Sequence, residues 1–166
     1  MKRMVSSASV EQACAEVSDF TDERMMTEFE RFFQEQPAIC DFVVEATSSS
    51  RPKVREFSLF LSFMVFKAAN IDGFPASNPV SEDAIDASCR ECERWVEQIH
   101  AASESGAGVP GAVPREDEPH LVEYVISELN EPLEDGHLED DERGEVFFVL
   151  KTVIGSLAGR KHEIED

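Results

Sequence analysis

Apolar residues recur at three- and four-residue spacing along most of the chain, and no segment alternates with period two for long enough to form a strand. Met25, Met26, Phe29, Phe32 and Phe33 make one such stripe, which predicts a helix lying on a core, with Thr21 or Asp19 before it as cap. Pro37 sits where that helix must end and opens a short helix over 38–46 carrying Ile39, Phe42 and Val43. A turn at Ser48–Pro52 leads into a helix over 53–70 that is apolar almost all round, with Phe57, Phe60, Phe63 and Phe66 among its residues. Such a helix is either central in a fold or shared with a second chain. Ser81 begins the next helix, with Ile85, Cys89, Cys92, Val96 and Ile99 on one face. A stretch rich in Gly, Pro and Ser (103–114) follows and is predicted to be a loop. Pro119 starts another short helix, 131–140 forms a charged turn, and a second strongly apolar helix is predicted over 139–157. A further short helix is predicted over 10–17, with 1–9 and 160–166 expected to be flexible tails.

The second half echoes the first. Glu28-Phe29-Glu30-Arg31-Phe32 resembles Glu91-Cys92-Glu93-Arg94-Trp95 at a separation of 63, Pro37 matches Pro119 at 82, and Arg55 matches Arg143 at 88. The separation grows only at predicted breaks, as duplication followed by loop insertion would leave it. The expected fold is all-α: one domain over 1–166 with six to seven helices. It is read as two related three-helix units, about 20–70 and 83–158, packed as a pseudo-twofold bundle with helices 53–70 and 139–157 facing each other at its centre.

At 166 residues and 42% apolar composition the chain has enough material for a core of its own. Four cysteines with no secretion-like start predict a reducing, cytoplasmic setting, and no apolar run reaches the ~20 residues of a membrane span. The formal net charge of −20 is lopsided: residues 1–80 hold 8 Lys/Arg against 12 Asp/Glu, and the remainder 7 against 23. That sign disfavours nucleic acid and anionic lipid and favours a basic protein partner.

The sequence offers few chemical sites. Cys89 and Cys92 have the spacing of half a zinc site, without a second pair to complete it. At the separation of 63 they fall opposite Met26 and Phe29, which assigns them to packing. Glu139 and Glu142, three apart, together with Glu93 and Glu97 on another helix, are the best candidates for a hard-cation site of the kind helical hydrolases use. An acidic first turn before an apolar helix accounts for the former pair without a metal. His100, His120, His137 and His162 fall in no His-Glu-x-x-His pattern, and neither a Gly-rich phosphate loop nor a Gly-x-Ser-x-Gly elbow is present. The reading is therefore a non-enzymatic, acidic protein-binding module of adaptor or inhibitor type, with no cofactor. The alternatives are a metal-dependent hydrolase using those carboxylates, or a structural homodimer joined through phenylalanines of the 53–70 helix.

Overall fold

The computed structural model describes residues 4–74, 78–105, 118–131 and 138–165. Its described residues form seven α-helices and no strand: α1 (Ser7–Ser18), α2 (Asp22–Glu35), α3 (Pro37–Ala46), α4 (Pro52–Ile71), α5 (Glu82–Ser105), α6 (Pro119–Asn130) and α7 (Asp140–Glu165). None of these helices is long and apolar enough to cross a membrane.

Local chemistry sets the boundaries. Ser6 Oγ accepts from the Ser9 N–H to cap α1, Thr21 Oγ1 accepts from Arg24 N–H to cap α2, and Ser81 Oγ accepts from Ala84 N–H at the start of α5. Pro37, Pro52 and Pro119 occupy first-turn positions of α3, α4 and α6, where a missing N–H leaves nothing unbonded. Gly73, at φ 100°, ends the turn after α4 in a backbone region that other residues rarely enter. Of the expected tail at 1–9, residues 1–3 lie outside the described residues, and 4–9 are corrected here. Helix α1 already runs from Ser7, and Val5 is fully buried. The reason is polar anchoring: Glu118 accepts from the Val5 N–H, and Asp72 accepts from both Ser6 and Ser9 hydroxyls. At the other end α7 continues as helix to Glu165, past the expected stop near Leu157.

Helices α4 and α7 are in contact and carry much of the core. Leu61, Val65 and Ala69 of α4 and Val146, Leu150, Val153 and Leu157 of α7 have no exposed surface. Helix α1 packs on α4, and α5 packs on α7; α3 touches both α4 and α5, and α6 touches both α7 and α1. Helix α2 lies across α4 through an aromatic cluster, with Phe29 stacked 4.7 Å from Phe63 and Phe32 5.7 Å from Phe66. A close approach joins α5 to α7: a Cβ placed on Gly155 would clash with the Ser88 hydroxyl, which donates to the Thr152 carbonyl at 2.8 Å.

Burial follows a register along the chain. Each buried residue of α7 from Val146 to Leu157 lies 88 positions after a buried residue of α4. Gln36, Ile39, Val43 and Thr47 are buried, and so are Glu118, Leu121, Val125 and Leu129, each 82 positions later. At a separation of 75, buried Val5 falls opposite buried Val80, capping Ser6 opposite capping Ser81, and half-buried Cys14 opposite half-buried Cys89. The separation of 63 has no such counterpart: buried Glu28 and Phe32 fall opposite exposed Glu91 and half-buried Trp95.

Two buried side chains clamp the starts of helices. The Gln36 amide donates to the Asn78 carbonyl at 2.8 Å and accepts from the Val80 N–H at 2.9 Å, fixing the entry to α5. The Glu118 carboxylate accepts from the Val5 N–H at 2.8 Å, fixing the entry to α1. Both residues immediately precede the prolines that open α3 and α6, and both are 1% exposed.

Candidate functional site

The four carboxylates singled out as cation ligands sit in two places. Glu93 and Glu97 are exposed on α5, and Glu139 is exposed just before α7. Glu142, on the first turn of α7, is engaged by Arg51, whose Nε and Nη2 donate to its two oxygens at 2.7 and 2.5 Å. This two-pronged bond lowers the Glu142 carboxyl to about 2, helped by the hydrogen bond its oxygen accepts from the Glu139 N–H. Ser50 donates to Glu145 one turn further on, so the junction ties the start of α4 to the start of α7. A carboxylate held by a guanidinium is already neutralised, which is the reverse of what a cation needs. Among the described residues no group of three or more His, Cys, Asp or Glu is arranged to hold a metal ion.

Cys92 is buried and Cys89 half-buried, with the Cys89 thiol 3.8 Å from a Glu93 oxygen. Burial and the neighbouring Glu93 charge push the Cys89 thiol up, and burial raises Cys40 to about 12. Raised thiols are protonated and poor nucleophiles. Cys14 is raised as well, first by burial and then by the Glu128 charge. It lies against Tyr124, whose hydroxyl hydrogen-bonds to it across the α1–α6 contact. Glu128 is pushed up by burial and by Glu131. This trio was not visible in the sequence, since Cys14 lies 110 positions before Tyr124 and the three belong to no motif. It places a thiol, a phenol and a carboxyl together, all shifted towards their neutral forms, which fits a packed polar contact. His120 lies 3.8 Å from Glu123, while His100, His137 and His162 fall outside the side chains the structure describes.

A cavity of about 270 Å³ opens between α2 and α4. It is lined by Glu28, Arg31, Phe32 and Glu35 from one side and Phe63, Phe66, Lys67 and Asn70 from the other. That volume suits one large side chain and falls below the usual range for a cofactor. Three of its four lining charges are engaged in ion pairs: Glu28 pairs with Arg24 at 3.0 Å and with Arg31 at 3.9 Å, and Lys67 pairs with Glu16 at 3.5 Å.

Of the phenylalanines of α4, Phe63 and Phe66 are buried and Phe57 and Phe60 half-buried. The large apolar side chains that do reach solvent lie elsewhere: Met4, Met26, Phe33, Val44 and Ile126. Met26 and Phe33 belong to the stripe predicted to face the core. Five residues spread over about 120° of a helix cannot all be covered by one neighbour, and these two occupy the same edge. No protein-family model matches this chain, and no curated protein and no solved structure matches it.

Proposed function

We propose that this chain is a non-enzymatic protein-binding module of adaptor or inhibitor type, whose acidic second half draws a basic partner. The observation that carries this reading is the placement of the acids. Glu82, Asp83, Asp86, Glu91, Glu93 and Glu97 are exposed along α5, and Glu139, Asp140 and Asp141 are exposed at the start of α7, against exposed Arg90 and Arg94. A field of one sign raises the encounter rate with an oppositely charged partner and is screened by salt. Binding of a lysine-rich amphipathic peptide is therefore expected to weaken by about tenfold or more between low ionic strength and ~0.5 M salt. Titration by fluorescence anisotropy measures it; an affinity unchanged by salt, or none at low salt, rules the reading out.

The proposed architecture behind this surface is an interlocked pair of related units, with α1, α3 and α4 matching α5, α6 and α7 about a pseudo-twofold between α4 and α7. The shared burial register and the paired clamps support it: Gln36 of the first unit holds the entry to the second, and Glu118 of the second holds the entry to the first. In this arrangement α2 is the element that breaks the symmetry. Residues 1–76 and 77–166, co-produced as separate chains, are expected to co-purify as a one-to-one complex, whereas either alone gives a poorly protected amide-exchange profile. Two halves that each fold alone and do not associate would dismiss the interlocked arrangement.

A further inference from the structure

We infer that the outer edge of α2, formed by Met26 and Phe33, is the docking strip on which the apolar face of a basic amphipathic helix from a partner protein lies. The inference rests on the binding reading above and assigns it a surface.

Met26 is 67% exposed and Phe33 41% exposed, and their spacing of seven puts them two turns apart on one face. The strip has rigid backing. Phe29, between them on that side, stacks on Phe63 and lies 6.5 Å from Phe60, and the Phe33 ring is 6.2 Å from Phe32. Exposed apolar residues held from behind by packed aromatics are pre-organised, so binding there orders little that is not already ordered. Val44 and Ile126, by contrast, are exposed to nearly the same degree (40% and 44%) at the separation of 82, so a shared register accounts for them.

Charge identifies the occupant. The cations of α2, Arg24 and Arg31, lie on the flank opposite Met26 and Phe33, where both pair with Glu28. Bordering the strip instead are Glu23 and Glu30, three and four positions from Met26, both exposed and without an ion pair among the described residues. An apolar strip bordered on its own helix by free carboxylates complements a helix with apolar residues at i, i+3, i+4 and i+7 flanked by lysine or arginine. The acidic second half then steers the encounter, and the strip supplies the contact that persists.

The test uses the full chain and two synthetic peptides of about 18 residues, made of leucine and lysine. One has its leucines in a single helical stripe, and the other has the same composition with leucines spread around the axis. Expected are binding of the striped peptide in preference to the scattered one, and a loss of about tenfold or more in the double variant Met26→Glu/Phe33→Glu. Ile126→Glu, which adds one negative charge at another exposed apolar site, is expected to stay within about twofold of the wild type. Equal loss in Ile126→Glu, or equal binding of both peptides, overturns the strip and leaves the charge-driven binding reading standing. No binding of either peptide at low salt overturns both. Sedimentation that finds a wild-type dimer split by the double variant assigns the strip to a second copy of this chain and overturns the partner-helix inference. Thermal unfolding of each variant checks the fold; should the double variant unfold, Met26→Gln/Phe33→Ser takes its place under the same criteria.

Discussion

Replacing Phe66 with alanine is expected to destabilise the protein by about 3–5 kcal/mol, a large share of the ~5–15 kcal/mol that holds a domain of this size together. Phe66 is 2% exposed and supports Phe32, the residue through which α2 rests on α4. Its removal would also enlarge the cavity it lines with Phe32 and Phe63, so part of the cost depends on whether water enters. Ile154, at the same register on α7 and also 2% exposed, does not line that cavity, and Ile154→Ala is expected to cost about 2–5 kcal/mol. Urea unfolding followed by far-ultraviolet circular dichroism measures both. A loss under about 1 kcal/mol for Phe66→Ala would mean that α2 does not seat on α4 in solution.

The helices were legible because their punctuation is local. Pro37, Pro52 and Pro119 can only sit at the first turn or outside a helix, and Ser81 offers its hydroxyl three residues ahead, so these boundaries need no tertiary information. The burial of the 53–70 helix was legible for a similar reason, since a helix apolar on every side has to be surrounded. What covers it was not. Helix periodicity says which face is apolar and leaves open whether the cover is α1, α2, α3, α7 or another molecule, and here all four helices share the task. The N-terminal segment failed for a related reason. Met4-Val5-Ser6-Ser7 carries no strong stripe, and its order comes from Glu118 and Asp72, residues more than 60 positions away. The acidic start of α7 was read as a first turn beside the helix dipole, and the structure adds that Arg51 is what Glu142 meets. At the separation of 63 buried Glu28 falls opposite exposed Glu91, because a Glu-x-Glu-Arg-aromatic match is local and does not fix depth, whereas at 75 Val5 and Val80, Ala13 and Ser88, and Cys14 and Cys89 agree in burial.

Gln36 and Glu118 are expected to respond differently to the same exchange, although they occupy the same place before a proline and the same depth. Gln36→Ala removes both partners of the loop before α5. The Val80 N–H is buried and loses its acceptor, and the half-buried Asn78 carbonyl loses its donor, for a combined cost of about 2–4 kcal/mol. Glu118→Ala leaves the buried Val5 N–H unmet and is expected to cost about 1.5–3 kcal/mol. The isosteric exchanges separate the two sites. Glu118→Gln keeps an oxygen for the Val5 N–H and is expected to be tolerated within about 1.5 kcal/mol. Gln36→Glu has no such substitute, because one of its atoms must donate to the Asn78 carbonyl and an ionised carboxylate only accepts. That variant folds with the new carboxyl protonated, so its folded pKa lies above the unfolded value. Its stability is then highest below the unfolded carboxylate range near 4.3 and falls as pH rises through the folded pKa. Urea unfolding of Gln36→Glu from pH 4 to pH 8 measures this. A variant as stable at pH 8 as at pH 4 relative to the wild type would show that the Asn78 carbonyl does not require a donor, and that the clamp on α5 is made by the Val80 bond alone.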